Sequence, residues 1–333
     1  MMKFTTLWAF DQAIDTDGSN PIATHIAGRW RHDPGTVRFF RSSANVIYIL
    51  TVDGERCFLR CAASTERSRE TIEIELAVIE HARDAGISVV RPLRSIAGAF
   101  VETVETDIGP VHAVLFQGIP GEHKDPASLS DTELRAWGAC VGKLHAALAT
   151  VPAASNRKPP GWKVILDSAT RGSAAVRQEG ERISAILQAL PQDDSTYGLL
   201  HNDLELDNLI WRDGVPTVLD FDEYSSGWYL TDIAKALDEV FDNGETVGGP
   251  GIQSFLAGYR SEHDLDDRHL ALLPEFSALI RLQTWALLDR AIDLSPEDVD
   301  QDWMKSLIVR LSDYQLEYET SLVNQHAGAA LSA

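Results

Sequence analysis

The 333-residue sequence contains little cysteine and little positive charge, and each shortage argues against a class of protein. The three cysteines, Cys57, Cys61 and Cys140, include no C-x-x-C pair, so neither a disulfide framework nor a zinc site is predicted. We expect all three to be small buried hydrophobic residues. The 29 Lys and Arg residues are outnumbered by 50 Asp and Glu residues, which gives a net charge of −21. This charge opposes binding to nucleic acid or an anionic membrane, where basic residues must neutralise phosphates, and it mildly favours a cationic substrate.

Long hydrophobic runs are also missing. No stretch approaches the roughly 18 consecutive apolar residues that a membrane-spanning helix needs. The N-terminal stretch MMKFTTLWAFDQAID contains an apolar run that Asp11 and Asp15 interrupt, and it lacks a small-residue cleavage site. A secretory signal peptide is therefore not expected, and we predict a cytoplasmic protein.

The first third of the chain alternates strand-like runs with turns. Residues 37–63 contain the runs VRFF, NVIYILTV and CFLRCA, and Asp53-Gly54 marks a hairpin between the last two. Residues 69–85 follow with apolar side chains at three- and four-residue spacing, which predicts a helix. Two more strands are predicted near 88–90 and 111–117.

The remainder of the chain has a different character. A stretch rich in Gly and Pro, 118–128, is interpreted as a connector, and Ser130 with Glu133 predicts a helix capping box. The sequence thus predicts an α+β fold of two lobes, with an N-terminal antiparallel sheet and one helix over 1–117 and a mainly helical C-terminal lobe over 129–333. Helical patterns in the second lobe lie at 172–190, 230–242, 251–262, 267–292 and 296–322.

The most informative segment is LLHNDLELDNLIWRDGVPTVLDFDE, residues 199–223. Its two apolar runs are joined around Asp213-Gly214, which predicts a hairpin. A three-residue loop would place Asn208 directly opposite Asp220, whereas a two-residue loop would miss that register by one. Either loop brings an amide and a carboxylate together at the open end of the hairpin. Such oxygen ligands suit Mg²⁺, whose remaining positions are left for water and substrate phosphates.

A further acidic residue precedes this hairpin. Asp203 lies five residues before Asn208, in an H-x-D-x-x-x-x-N pattern that begins at His201. Together with Asp220, this spacing matches the base, the metal-binding Asn and the metal-binding Asp of protein-kinase-like enzymes. We expect His201 to order the loop by hydrogen bonding rather than to act as the base. Asp222 is left open between a second metal ligand and an orienting residue.

Four segments carry a resemblance to a known family. HNDLELDN and VLDFDEYSSGWYLTDIAKAL, together with GKLHAAL and VLFQGIPGE, resemble the aminoglycoside phosphotransferase family, which includes choline kinases and type II homoserine kinases. The resemblance covers roughly residues 35–290. It implies the protein-kinase-like fold, ATP as co-substrate, Mg²⁺ and a small-molecule hydroxyl acceptor.

The resemblance implies catalytic roles for three residues. Asp203 would be the catalytic base, and Asn208 and Asp220 would bind Mg²⁺. Asp232, which follows Thr231 at the start of a predicted helix, is interpreted separately as a helix N-cap that supports the site.

Further residues would hold the nucleotide. The resemblance implies that backbone groups around Gln117 and Ile119 bind adenine and that Arg60 holds the phosphates, with Glu75 as its partner. Glu75 falls on the flank of the helix's apolar stripe, where an unpaired carboxylate would be costly to bury. A cationic partner would explain its position.

The sequence departs from the family's pattern in three ways. Many kinases have Lys where Arg60 lies, and the two side chains are not interchangeable. No G-x-G-x-x-G pattern exists, so the phosphate-covering loop is predicted around Ser43 and Asn45, with hydroxyl and backbone donors. Asn202 and Glu205 replace the family's usual Gly and its common second His.

The acceptor is predicted to be a small hydroxyl compound. Only about ten residues separate Asp220 from Asp232, without the A-P-E motif that ends a protein kinase's activation segment. Aminoglycosides, amino alcohols, homoserine and sugars all remain open. Acceptor contacts are expected within 251–322, although a packed helix with solvated charges is the better interpretation of the three candidate side chains. These candidates are Arg281, Trp285 and Asp289.

Three other functions stay open. Arg60 and the missing glycine loop suit a nucleotide-binding regulatory protein without turnover, and some relatives with this core could act on proteins. A metal-dependent hydrolase would use a cluster of His and Asp side chains, but it leaves Arg60 and Glu75 without a role. The cluster consists of His201, Asp203, Asp207, Asp220 and Asp222. The sequence predicts no oligomeric state.

Overall fold

The computed structural model describes residues 1–151, 160–242 and 248–331, in which an antiparallel sheet is followed by a mainly helical part. Within these residues the sheet has six strands: β1 (Arg38–Ser42), β2 (Val46–Val52), β3 (Glu55–Ala63), β4 (Pro92–Leu93), β5 (Glu102–Thr106) and β6 (Gly109–Gln117). They lie in the order β1-β2-β3-β6-β4, and β5 also pairs with β6. Asp53 and Gly54 join β2 to β3 with φ angles of 51° and 80°, which confirms the predicted hairpin.

Three helices occur in residues 1–117, all of which the structure describes, so the prediction of one helix is wrong. They are α1 (Phe4–Asp11), α2 (Pro21–Ala27) and α3 (Arg69–Asp84). The predicted helix is α3, which Ser68 caps and whose apolar stripe packs with side chains of β3 and β6. The start of α2 is a standard one, since Asn20 accepts the N–H groups of Ile22 and Ala23. Pro21 occupies the first helical position.

Within the described residues the second part contains eight helices. They are α4 (Asp131–Leu148), α5 (Gly161–Ala169), α6 (Ala174–Ala189), α7 (Leu230–Asp242), α8 (Pro250–Arg260), α9 (Asp267–Leu270), α10 (Leu273–Ala291) and α11 (Asp302–Leu331). The capping box of α4 is confirmed, whereas α5 was not predicted. The helix predicted over 267–292 is divided into α9 and α10, because Pro274 lacks the N–H that a continuous helix requires and suits a first turn. The helix predicted over 296–322 begins only at Asp302.

Two small sheets lie between the helices. They are formed by β7 (Tyr197–Leu200) with β10 (Ser225–Trp228), and by β8 (Leu209–Arg212) with β9 (Val215–Val218). The second is the predicted hairpin, and its loop is the two-residue Asp213-Gly214. Asn208 therefore lies opposite Leu219, whose N–H donates to the Asn208 carbonyl at 2.9 Å. The alternative that set Asn208 against Asp220 is wrong by one residue.

The strand predicted near 88–90 forms only a single bridge, between Val89 and Val218 of the hairpin. This bridge nevertheless links the two parts, because Val218 belongs to β9. The strand predicted at 111–117 is confirmed within β6.

Two hydrophobic cores flank the N-terminal sheet. One includes α3 and most of the helical part, and the other packs α1 and α2 on the opposite sheet face. The second core also includes Val299, Met304 and Ile308 from the C-terminal end. The helix α11 then returns to the helical part, where Leu322 is buried. Residues from 129–333, which the sequence assigned to one lobe, thus contribute to both cores.

The three cysteines are free thiols. Cys57 and Cys61 are buried in the second core, as predicted, whereas Cys140 is only partly buried. None of the helices in the described ranges combines the length and the apolar character needed to cross a membrane.

Candidate active site

A cleft of about 510 Å³ lies between the N-terminal sheet and the β8–β9 hairpin. Its apolar walls include Phe58 and Phe116 of the sheet and Ile210 of the hairpin. Flat apolar walls of this kind suit a planar ring system. The cleft also has charged side chains in its lining, namely Arg60, Glu75 and Asp220.

The connector after β6 forms one edge of this cleft. The N–H of Gln117 donates to the Arg91 carbonyl at 2.9 Å, and the N–H of Gly118 donates to the Arg56 carbonyl at 2.8 Å. Across the described ranges, no hydrogen bond involves the N–H of Ile119, which also lines the cleft. This edge therefore offers a backbone donor to a ligand.

The predicted phosphate loop is the turn between β1 and β2. Ser43 is exposed, and its N–H donates to the Asn45 carbonyl at 3.0 Å. Asn45 is buried, and its amide donates to the Asp222 carboxylate at 2.9 Å. Neither Ser43 nor Asn45 is among the described residues that line the cleft. Asn45 thus attaches the turn to the segment after β9, whereas Ser43 remains exposed.

Arg60 and Glu75 form a buried, bidentate ion pair, with N···O distances of 2.7 and 3.0 Å. The guanidinium also lies 3.4 Å from Asp220 and 5.1 Å from the ring centre of Phe116. A second arginine that the sequence did not single out, Arg67, donates at 2.9 Å to Glu75 Oε2, the oxygen that also accepts from Arg60 Nη2. Arg67 precedes a helix cap, and no spacing pattern distinguishes it from a surface arginine.

Asp232 supports the backbone of the 201–208 loop, which carries Asp203. Its carboxylate accepts the N–H of His201 at 2.9 Å and of Asn202 at 2.7 Å, and it lies 3.0 Å from His145 Nε2. Asp232 is the third residue of α7 and makes these contacts outside its helix, so it is not the N-cap expected. Asn202 has φ of 68°, a left-handed conformation that Gly or Asn adopts at low cost. This explains why Asn can stand where the family usually has Gly.

His201 is buried, and both of its ring nitrogens have backbone partners. Nε2 lies 2.7 Å from the Leu219 carbonyl, and Nδ1 accepts the N–H of Asp203 at 3.3 Å. Burial lowers the pKa of His201, which favours a neutral ring that donates from Nε2. The ring therefore connects the 201–208 loop to the strand end before Asp220.

Asp203 is held by Asn208 and faces Lys235. The Asn208 amide donates to both the side chain and the carbonyl of Asp203 at 2.8 Å. Lys235 lies 3.7 Å from the Asp203 carboxylate and 2.5 Å from Glu205. Burial raises the pKa of Asp203 to about 7, and Lys235 opposes this change. Lys235 was not predicted, although its position one turn after Asp232 on α7 makes it a neighbour of the loop.

The oxygen donors of the hairpin fit a magnesium ion. Because the amide nitrogen of Asn208 is engaged with Asp203, its oxygen is left as an acceptor. Asp220 is partly exposed at φ of 49°, and burial together with the nearby Asp222 raises the pKa of its carboxyl. Among the described residues no group of three or more His, Cys, Asp or Glu is arranged to hold a metal. Mg²⁺ needs only one or two protein carboxylates when it also binds substrate phosphates.

The three acceptor candidates lie apart from these groups. Trp285 is buried and donates to Glu319 at 2.8 Å, and Asp289 lies 3.8 Å from Arg171. Arg281 is exposed. Their surroundings are those of a packed helix with solvated charges.

Comparison with known proteins identifies the family. The sequence model described as the phosphotransferase enzyme family matches residues 36–272. Amicoumacin kinase of Bacillus subtilis strain 168 is 25% identical over 288 residues, which are 82% of this chain and 86% of that protein. A solved amicoumacin kinase in complex with AMP-PNP and Ca²⁺ is 25% identical, with a TM-score of 0.74 over 90% of this chain and 92% of that one.

A spectinomycin phosphotransferase, solved with ADP and spectinomycin, is 14% identical with a TM-score of 0.63. The match covers 90% of this chain and 97% of that protein, and at this low identity it supports the fold alone. Since the family model spans most of the sequence, the chain belongs to the phosphotransferase enzyme family, and it is a phosphotransferase with a two-lobed, protein-kinase-like fold.

Proposed function

We propose that this phosphotransferase moves the γ-phosphoryl group of ATP to a hydroxyl group of a small, amine-bearing molecule. The observation that carries the proposal is the contact between Asp203 and Asn208 beside a cleft lined by Arg60, Glu75 and Asp220. A base, an amide oxygen, a carboxylate and a phosphate-binding cation are the parts that phosphoryl transfer needs.

ATP would lie in the cleft with adenine at the connector edge. The N–H of Ile119 would donate to the base, and Gln117 would contribute its carbonyl. Arg60, fixed by Glu75, would face the phosphates, where its planar fork suits their oxygens. For Ser43 we propose a contact between its exposed hydroxyl and a phosphate oxygen of ATP. Asn45 would act indirectly, because its amide is already bonded to Asp222.

Asn208 and Asp220 would hold Mg²⁺. When bound, the ion would supply positive charge that offsets the negative charge developing on the phosphate during transfer. The solved amicoumacin kinase contains AMP-PNP and Ca²⁺, which supports a site for a nucleotide with a divalent cation.

Asp203 would act as the catalytic base. It would accept the proton of the acceptor hydroxyl as that oxygen bonds to the γ-phosphorus and the bond to ADP breaks. Because the transition state is loose, the main contribution of Asp203 is to orient the hydroxyl. Asn208 fixes its rotamer, and His201 and Asp232 hold the backbone N–H groups of residues 201–203.

The acceptor would be a small cationic molecule, such as an amino alcohol or an aminoglycoside. The carboxyl groups of Glu205 and Glu223 act electrostatically on Asp203, and the whole chain carries a charge of −21. Amicoumacin kinase, a relative of this chain, acts by its name on amicoumacin. Asp220 and the first residue of α7, Leu230, are also too close for the activation segment of a protein kinase.

The two remaining alternatives have less support. A hydrolase would need its metal ligands together, whereas both His201 nitrogens are bonded to backbone groups. A regulatory protein without turnover would have no need for a base held by Asn208. A cytoplasmic location suits the use of ATP, and we propose no nucleic-acid or membrane partner.

A thermal-shift titration with ATP, GTP and ADP, each with and without Mg²⁺, tests nucleotide binding, because a ligand that binds the native state stabilises it. ADP release is then measured with aminoglycosides, amino alcohols, homoserine and sugars. We expect a Mg²⁺-dependent shift with ATP, followed by transfer to an amine-bearing acceptor. A shift without transfer to any acceptor or to water would favour the regulatory protein, and no shift would overturn the proposal.

A further inference from the structure

The carboxylate of Asp222, in the segment after β9, joins the helical lobe to the N-terminal lobe. Its Oδ2 atom accepts the Asn45 amide at 2.9 Å and lies 3.7 Å from Arg67 Nη1. Arg67 also donates from Nη2 to the Asp222 carbonyl at 3.2 Å. Asn45 comes from the β1–β2 turn and Arg67 from the loop between β3 and α3, so two separate segments of one lobe hold a single residue of the other.

The same arginine extends this contact to the phosphate-binding pair. Arg67 Nη2 lies 2.9 Å from Glu75, which is itself bonded to Arg60. Arg60 lies 3.4 Å from Asp220, two residues before Asp222. The four links run from Asp222 through Arg67, Glu75 and Arg60 back to Asp220, and they include residues of both lobes.

Burial makes these contacts specific. The side chains of Asp222, Arg67 and Glu75 are 4%, 11% and 0% exposed, whereas that of Asp220 is 22% exposed. Of the two carboxylates after β9, Asp220 is thus the one that is partly exposed. The Asp222 carboxylate already faces the Arg67 guanidinium and the Asn45 amide. A metal ion bound beside Arg67 would be repelled by the positive charge of the guanidinium.

We propose that Asn45 and Arg67 are positioning residues that hold Asp222, and through it the backbone of Asp220, against the phosphate-binding pair. Asp222 is then an orienting residue and not a second metal ligand. This role depends on the proposed function, because it sets the geometry of the phosphoryl transfer. It also gives the β1–β2 turn a purpose without a glycine-rich motif, since the turn is fixed by the opposite lobe.

The test compares Asn45→Ala, Arg67→Met and Asp222→Asn with the double variant Asn45→Ala/Asp222→Asn. We expect each single variant to lower kcat by about 10- to 100-fold, because a small misplacement of reacting groups is enough for such a loss. The double variant should be no less active than the less active of its two single variants, since both substitutions act on the same contact between Asn45 and Asp222. The Mg²⁺ concentration for half-maximal rate should stay within about threefold of the wild type, because no ligand is lost.

Two further variants keep the test independent of folding. Arg67→Lys retains the charge and should recover part of the rate that Arg67→Met loses, and thermal unfolding shows whether each variant is native. Arg69→Met is the matched control, since Arg69 lies two residues away, is exposed and pairs with Glu73. We expect wild-type kcat for this control.

The outcomes separate this inference from the proposed function. An inactive wild type would count against the function itself. An active wild type with unchanged kcat in Asn45→Ala and Arg67→Met would overturn the positioning role. If Asp222→Asn raised the half-maximal Mg²⁺ concentration by about tenfold or more, with additive losses in the double variant, Asp222 would instead be a metal ligand.

Discussion

The carboxylate of Asp232 accepts the backbone N–H of Asn202 at 2.7 Å and thereby fixes the 201–208 loop to the first turn of α7. Its second oxygen accepts the N–H of His201 and lies 3.0 Å from His145 Nε2. Asp232 is fully buried, so these donors compensate a charge that water does not reach. The loop that carries Asp203 thus depends on an acidic residue about thirty positions later in the chain.

Replacing Asp232 with Asn should damage both stability and activity. The amide keeps one acceptor and turns an NH₂ group toward donors that need a partner. We expect a loss of about 2 to 4 kcal/mol in the free energy of unfolding, with a lower kcat. Urea denaturation and ADP release measure the two effects. Asp267→Asn, which removes an exposed carboxylate paired with Arg260, should cost less than about 1 kcal/mol. Equal losses in the two variants would contradict this role.

Two substitutions at Asn202 separate its backbone from its side chain. Both Asn202→Gly and Asn202→Ala remove the amide, but only Ala places a Cβ atom at a φ of 68°. We therefore expect the Ala variant to be less stable than the Gly variant by about 1 kcal/mol. Thermal or urea unfolding of the pair measures the difference. An Ala variant as stable as the Gly variant would show that the left-handed conformation is not retained.

Four strands of the N-terminal sheet, β1, β2, β3 and β6, could be predicted because their signals are local, whereas β4 and β5 were missed. Strand β2 alternates buried and partly exposed residues, and Asp53-Gly54 supplies the left-handed backbone of its turn. The four-residue strands β7 and β10 escaped prediction, since each is stabilised by a partner more than twenty residues away rather than by its own pattern. The break before α10 was hidden by a nearly continuous apolar stretch around Pro274.

The chemical pattern of the site could be predicted better than its surroundings. The spacing of Asp203 and Asn208 indicated that both belong to one site, where their side chains are in contact. The apolar stripe of α3 indicated that Glu75 needed a cationic partner. Arg67 and Lys235 were missed, because a charged side chain that is buried by distant segments has the same local sequence as a solvated one. Only the tertiary fold brings these two cations to the carboxylates.

Glu75→Gln should strongly destabilise the protein. Glu75 is fully buried between Arg60 and Arg67, and its removal leaves two guanidinium groups without their shared counter-ion. We expect a loss of about 3 to 5 kcal/mol in the free energy of unfolding. Glu73→Gln is the matched control on the same helix, where the exposed pair with Arg69 is worth about 1 kcal/mol or less. Urea denaturation of both variants measures the two losses in stability. Similar midpoints would contradict the stabilising role of the buried ion pairs of Glu75 with Arg60 and Arg67.

Asp203→Asn should remove transfer and retain nucleotide binding. Loss of a general base lowers kcat by about 10²- to 10⁴-fold, while the Mg²⁺-dependent thermal shift with ATP should persist. Asp220→Asn should weaken that shift as well, because it removes a proposed metal ligand. Asp213→Asn, at the exposed tip of the same hairpin, is the control and should behave like the wild type. Full activity of the Asp203 variant would overturn its assignment as the base.

The pH dependence of transfer should report Asp203 and its neighbour Lys235. Burial raises the pKa of Asp203 to about 7, and the base accepts a proton only when it is ionised. The rate should therefore fall as the pH decreases through this pKa, and a bound cation, which favours the carboxylate, would move the fall to lower pH.

The Lys235→Met variant tests the direction in which Lys235 shifts the pKa of Asp203. Lys235 lowers the pKa of Asp203, so its removal should raise that pKa and move the acid limb of kcat/KM about one pH unit higher. Lys143→Met, which removes an exposed lysine 3.7 Å from Glu262, should leave the limb in place. A limb that moves to lower pH in Lys235→Met, or that moves equally in both variants, would show that a group other than Asp203 controls the rate.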